Sequence, residues 1–296
     1  GSKVQKEDIS FLLREGKKQV NLNDARQSII HIFNHNYIVD GKTFIEEPIN
    51  IYADYLSHEM TFVTMPKNNI KNINQTFIDC DIEVERFISS IFASAIELLN
   101  QEDLYKGSIL IDFGFEKTSL GLFKNLALVN SLTLPIGVNH LVKDVSKICS
   151  LSSEESKNII KKFNFSISDN NHLFNEENNL KKDFFSSSNF RKISKSLILN
   201  IIKTRIDEIL ELIKKQIFLS GFSSNIAQNF FFIGGGSHLV SIDKYFSNFF
   251  QIEIRKIEKY EKNNNEDNLA ENFSSCLGAF KLIKNGWETE AIPESI

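Results

Sequence analysis

The sequence predicts an α/β fold with a smaller α+β unit at its start, and three stretches carry that expectation. Ser108 to Phe123 (SILIDFGFEKTSLGLF) reads as an apolar strand ending in Asp112, a turn holding Gly114, and a second strand that starts at the hydroxyls Thr118 and Ser119. Asn229 to Ile233 (NFFFI) is a buried strand running straight into Gly234, Gly235, Gly236 and Ser237, with a helix expected through Phe249. The first roughly 80 residues mix short strand and helix signals, an ordinary size for a small α+β domain.

A chain of 296 residues is long for one compact unit, so two or more subdomains are expected. Hydrophobic residues at 42% and charged residues at 24% are the mix of a soluble globular protein. A net charge of −4 and the absence of a dense Lys/Arg run disfavour nucleic acid as a partner. Cys80, Cys149 and Cys276 are odd in number and widely spaced, which argues against a disulfide framework and a zinc site and for reduced thiols in a cytoplasmic protein. No apolar run reaches the roughly 18 residues of a membrane span, and the start lacks a signal-peptide layout. The Gly1-Ser2 opening suits a cloning scar or fragment boundary, so residue 1 need not be a natural start.

In chain order, Lys6 to Glu15 reads as a short helix with Ile9, Leu12 and Leu13 on one face. Gln27 to Phe33 and Tyr37 to Lys42 read as strands around a turn, followed by Tyr52 to Leu56 and a strand over Glu59 to Met65. Lys67 to Phe77 is predicted as a helix with Ile70, Ile73 and Phe77 inward, and Ile82 to Leu99 as an apolar helix with small Ala93, Ser94 and Ala95. Leu126 to Leu134 is a strand, after which Gly137 opens a helix through Asp144 and Val145. His140 and Asp144 share a face at i, i+4, but without a third ligand they read as a solvated or capping pair.

Ser152 to Glu155 has capping-box spacing ahead of a helix ending at Phe163. Asn164 to Phe190 lacks a regular pattern and suits either short strands with long loops or a mobile excursion. Lys192 to Leu219 is a long amphipathic helix whose stripe of Leu197, Ile201, Ile202, Ile206, Ile209, Leu210 and Ile213 reads as core packing. Lys256 to Glu271 is a charged loop, Asn272 to Lys284 a last helix with small Ser275, Cys276, Gly278 and Ala279, and Gly286 to Ile296 a loose acidic tail.

Two of these stretches carry chemistry. An acid at a strand end beside a glycine turn and hydroxyls can present Mg²⁺ and phosphate: the carboxylate binds hydrated metal, and glycine admits backbone N–H groups to phosphate oxygens. The same residues also suit an ordinary hairpin. Three consecutive glycines weaken the backbone unless close approach or positive φ requires them, either for an anion at a helix N-terminus or for tight packing. Their spacing is neither Gly-x4-Gly-Lys-Ser/Thr nor Gly-x-Gly-x-x-Gly.

Taken together, the order of these parts resembles the actin-like ATPase superfamily, with its ribonuclease H-like fold, and within it the bacterial FtsA cell-division family. Ile109 to Phe123 sits where that family has its second phosphate loop. Leu134-Pro135-Ile136-Gly137-x-x-His140-x-x-x-Asp144 resembles its Pro-Val-Gly-Gly-x-His-x-x-x-Asp. Ile233 to Ser237 resembles the adenosine motif, and Ile201-Ile202-x-x-Arg205-x-x-Glu208-Ile209 the helix before it. Val39-Asp40-Gly41 and Glu47-Pro48-Ile49-Asn50 resemble turns of the inserted subdomain 1C. The likeness runs from about Val4 to Lys284.

The resemblance implies subdomain 1C over 1–80, a returning 1A helix over 81–105, 2A over 106–145 and 226–271, 2B over 146–225, and a C-terminal 1A helix and tail over 272–296. It implies ATP and Mg²⁺ as cofactors, with Asp112, Gly114, Thr118, Gly137, Arg205, Gly234, Gly235, Gly236 and Ser237 as contacts. Asp112 would hold Mg²⁺ through water and is the one candidate for catalysis. It also implies FtsZ and other divisome proteins as partners, self-association into filaments, and a place on the cytoplasmic face of the inner membrane at the division site.

Departures from the pattern shape the expectation. The family's first phosphate loop has no counterpart here, and neither does its C-terminal membrane-anchoring helix. Phe115 and Glu116 stand at glycine positions, and Glu116 puts negative charge near phosphate. Ser156 and Lys157 align with the family's ribose-contacting Ala-Glu-x-x-Lys segment; a shifted register would place Glu154 and Lys157 at its spacing. The reading is an ATP-modulated divisome adaptor with a degenerate pocket and at most weak ATPase activity. An active actin-like ATPase and a PilM-type pilus-assembly homologue are the alternatives.

Overall fold

The computed structural model describes residues 1–166, 170–220, 229–257 and 273–285. The chain divides into two compact units: Gly1–Gly107 with Gly121–Ser131 and Phe273–Ile296, and Ser108–Leu120 with Leu132–Asn272.

The first unit opens with β1 (Ser2–Lys3), α1 (Lys6–Asn23), β2 (Gln27–Val39), β3 (Lys42–Phe44), β4 (Tyr52–Ala53), β5 (Leu56–Pro66) and α2 (Lys67–Ile78). β2 is the middle of an antiparallel sheet in the order β3-β2-β5, and β1 pairs with β4. The two strands expected around a turn are one strand. No glycine or proline interrupts Asn34 to Asn36, and bulges at Ile29/His31 and Asn34/Asn36 absorb the irregularity. The reversal comes at Asp40-Gly41, both with positive φ, the pair a tight hairpin favours. The Asp40 carboxylate then accepts the Tyr55 N–H at 2.8 Å.

α1 runs eight residues beyond the predicted end because Gly16 lies against β5: a Cβ there would sit 2.9 Å from the Phe62 ring. α2 buries no residue, and Phe77, expected inward, is exposed because the helix lies on the surface rather than in a core.

The apolar helix predicted over 82–99 is shorter. Residues 82–89 are not helical, and α3 (Ser90–Leu98) starts only after Ser89, whose N–H donates to the buried His31 Nε2 at 2.8 Å. Phe92 of α3 then packs edge-on against Phe33, 4.7 Å between centroids. Asn100 Oδ1 accepts the Asp103 N–H and caps a further short helix, α4 (Gln101–Lys106).

The second unit is built on a sheet of β6 (Ser108–Phe113), β7 (Thr118–Lys124), β8 (Ala127–Leu134), and two later strands, with α5 (Val138–Cys149), α6 (Ser153–Lys162) and α7 (Lys195–Leu219) between them. β9 (Asn229–Ile233), α8 (Ile242–Phe250) and β10 (Ile254–Lys256) complete it. The strand order is β10-β9-β6-β7-β8, with β9 parallel to both β6 and β10. The boundary between the units falls within β7 and β8. Ile109, Leu110, Ile111 and Phe113 are fully buried, the continuous apolar run of a parallel strand covered on both faces. Phe113, Phe232 and Phe246 form one ring cluster beneath the end of β6.

Ser152 and Glu155 close the predicted capping box of α6. The α7 stripe is buried from Ile201 to Ile213, but Leu197 is exposed, since it lies in the first turn where its N–H meets the Ser194 cap. The glycines do not open α8. They form a single 3₁₀ turn, Gly235–His238, and Ser241 at φ 60° separates it from the helix. Residues 167–169, 221–228, most of the 256–271 loop and the 286–296 tail lie outside the described residues.

The last helix, α9 (Ser274–Asn285), belongs to the first unit and packs on α3. Ser274 donates to Ser94 Oγ at 3.2 Å, and Lys281 Nζ lies 2.6 Å from the buried Glu97 carboxylate. Gly278 makes the contact possible, because a Cβ there would sit 1.7 Å from Ala93 O. No described helix is long and apolar enough to cross a membrane.

Gly278→Ala therefore destabilises the chain by about 3 kcal/mol, the upper end of the overpacking range, whereas Cys276→Ala on the exposed face of α9 changes little. Urea midpoints of the two variants check this. The first unit also loses stability in acid. His58 stacks on Tyr37 at 4.2 Å with neither ring nitrogen partnered among the described residues, and burial, with His35 nearby, lowers its pKa from 6.5 to about 4. A group with a lowered folded pKa binds its proton more readily when unfolded, so stability falls as pH drops from 6.5 towards 4. His58→Phe should flatten the melting temperature across that window.

Candidate functional site

The candidate site lies wholly in the second unit, where the end of β6, the start of α5 and the glycine turn after β9 converge. Pairing of Asp112 with Ile233 across β6 and β9 brings the two chemistry-bearing stretches side by side. Glycine is required at three places. Gly234 has φ +87°, and a Cβ on it would meet Asp112 Oδ1 at 2.3 Å; one on Gly236 would meet the Phe113 ring at 2.3 Å. A Cβ on Gly137 would meet Gly114 O at 2.5 Å. Gly235 differs: a Cβ there would meet nothing within 4 Å, so this backbone faces open space.

The loop between β6 and β7 is closed by Gly114 N–H donating to Lys117 O at 2.9 Å. The first two N–H groups of α5 donate to that loop, Val138 to Gly114 O at 3.1 Å and Asn139 to Phe115 O at 2.7 Å. The Gly137 N–H donates to His140 Nδ1 at 3.1 Å, so His140 caps its own helix. Thr118 Oγ1 donates to Ile136 O at 2.6 Å. The hydroxyl and the helix N-terminal donors thus hold the loop in place.

Two side chains of the loop are tied down as well. Glu116 Oε1 accepts from Asn139 Nδ2 at 2.6 Å, and Lys143 Nζ lies 3.8 Å from its other oxygen. Lys157 Nζ sits 5.3 Å over the Phe115 ring, a cation–π contact. Asn139 and Lys143 were not among the sequence-predicted residues. Their i, i+4 spacing on the face of α5 just after Gly137 was the available signal. Ser156 is fully buried, and its hydroxyl has no hydrogen-bond partner among the described residues.

Asp112 is half-buried at the strand end; burial pushes its carboxyl up from the ordinary value, and Lys117 partly offsets this. Asp112, Gly114, Thr118, Gly137 and Gly234 to Ser237 form one group in the fold. Arg205 is engaged elsewhere on α7: its Nε donates to Asp144 Oδ2 at 2.5 Å and it also pairs with Glu208. The Asp144 hydrogen bond holds the guanidinium charged. Among the described residues there is no cluster of three His, Cys, Asp or Glu able to hold a metal ion by itself.

Glu155 anchors the segment before α7. Its buried carboxylate accepts from Ser188 Oγ at 2.6 Å, from the Ser187 and Ser188 N–H groups at 2.8 Å, and from the Ser152 N–H at 2.7 Å. Burial opposes its ionisation, but these four donors outweigh it and hold the carboxyl well below the usual range.

Comparisons with known proteins bear on the likeness and the fold of the chain. Residues 1–64 match the family model described as the SHS2 domain inserted in FtsA. Cell division protein FtsA of Agrobacterium fabrum is 24% identical over 250 residues, covering 82% of this chain and 54% of that protein. FtsA of Buchnera aphidicola subsp. Schizaphis graminum is 25% identical over 289 residues, covering 93% and 66%. The chain therefore spans about half to two thirds of the length of these relatives. Among solved structures, a PilM-PilN type IV pilus biogenesis complex superposes with TM-score 0.61 at 9% identity, covering 94% of this chain and 73% of that one. MreB5 of Spiroplasma citri bound to ADP superposes with TM-score 0.55 at 17% identity, covering 76% and 68%. Both structural likenesses show an actin-like fold, and the first 64 residues and the sequence relatives show what the chain is similar to, FtsA.

Proposed function

We propose that the chain acts in bacterial cell division as a nucleotide-modulated adaptor, linking FtsZ filaments to the cytoplasmic face of the inner membrane at the division site and recruiting later divisome proteins. The observation that carries this reading is the FtsA-type SHS2 match at residues 1–64 joined to an actin-like sheet. In this layout residues 1–80 serve as subdomain 1C and support self-association into filaments. The returning 1A helix takes 81–105, 2A takes 106–145 and 226–271, 2B takes 146–225, and 272–296 form the C-terminal 1A helix and tail.

Gly234 to Ser237 would hold the adenosine end of ATP, with Gly235 offering the open backbone for close approach. Asp112, Gly114, Thr118 and Gly137 form the phosphate side, where Mg²⁺ would bind Asp112 through water. Arg205 joins this set only by way of Asp144 on α5. The phosphate side fits a triphosphate poorly. Its hydroxyl and helix donors already serve the loop, and Phe115 and Glu116 stand where backbone approach is needed. Binding rather than turnover is therefore the working output. A PilM-type role is the second reading; the PilM-PilN structure supports the fold it would share and no more.

Co-sedimentation with polymerised FtsZ in the presence of MgATP tests the proposal. The chain should pellet with FtsZ filaments while releasing phosphate no faster than the background rate. Absence from the pellet would remove FtsZ as its partner, and steady turnover lost in Asp112→Ala would make it an enzyme.

A further inference from the structure

Glu116 stands in the loop between β6 and β7, beside the start of α5. Its carboxylate is held at the start of α5 between Asn139 Nδ2 at 2.6 Å and Lys143 Nζ at 3.8 Å. Asn139 is buried and fixed, since its own N–H is bonded to Phe115 O. The carboxylate therefore stands where the helix N-terminus and the nearest lysine would otherwise attract an anionic ligand. Lys157 lies over the Phe115 ring, and Lys117, in the loop itself, acts on Asp112. Glu116 thus places an internal negative charge on the α5 side of the loop, while the backbone beside Gly235 stays open.

We infer that Glu116 is a built-in counter-anion that makes this site select nucleotides carrying less phosphate charge, a nucleoside diphosphate over a triphosphate. The inference rests on the nucleotide-binding reading of the loop and adds to it a specificity-determining residue. A ligand with one more negative charge is repelled more strongly by the Glu116 carboxylate at this partly exposed surface, an effect on the order of tenfold in affinity. Glu116→Gln is the informative change. It removes the charge and keeps an oxygen able to accept from Asn139, so the loop retains its shape.

The test is titration of MgADP and MgATP into the chain and into Glu116→Gln, read by calorimetry. Glu116→Gly is the second variant, its fold checked by circular dichroism. In the unsubstituted chain MgADP should bind about tenfold more tightly than MgATP. In Glu116→Gln the MgATP affinity should rise about tenfold, with MgADP changed less than threefold. Glu116→Gly should show the same shift. An ATP-to-ADP ratio that is the same in all three proteins would overturn the inference and leave nucleotide binding standing. No heat from either nucleotide with any of the three would overturn both the inference and the nucleotide-binding reading.

Discussion

The second unit depends on the close approach of three glycines to one backbone loop. Gly234 and Gly236 let the turn after β9 close onto Asp112 and Phe113, and Gly137 lets the start of α5 close onto Gly114. Any side chain at these positions would overlap backbone or ring atoms. The contacts therefore set where β6 ends, where α5 begins, and which donors meet which acceptors. The ring cluster of Phe113, Phe232 and Phe246 supports the loop from below. What the fold places at the loop surface is then decided by two residues, Phe115 and Glu116, and both are held by partners on neighbouring helices.

The pattern of β6, β7, β9 and α7 was legible in the sequence because those elements are long, apolar and bounded by glycine or capping residues. The capping box at Ser152 and Glu155 was legible for the same reason: its partners are three residues apart. Contacts between distant segments were not. Ser89 bonded to His31 cut short a helix that its own apolar run supported. The bulges in β2 replaced a predicted turn. At the site the glycines and Asp112 could be read directly, while the hold of Asn139 and Lys143 on Glu116 depends on α5 docking against the loop. Arg205, expected to contact a ligand, is bonded to Asp144, sixty-one positions away in sequence.

At the loop after β6, donors that could meet an anion are already taken up by the protein itself. Asp112 and Thr118 remain in place, but Thr118 bonds to Ile136 O and the first donors of α5 bond to the loop. On the proposed reading a nucleotide would be sensed at the open glycine turn rather than at the bonded start of α5. The first unit carries the segment that matches the SHS2 domain inserted in FtsA.

Amide hydrogen exchange with and without saturating MgADP tests the central claim most directly. The structure predicts slowed exchange at Gly235, where the turn is open to a ligand. It predicts no change at Val138 and Asn139, whose N–H groups are already bonded to the loop. Protection at Val138 and Asn139 with none at Gly235 would contradict it.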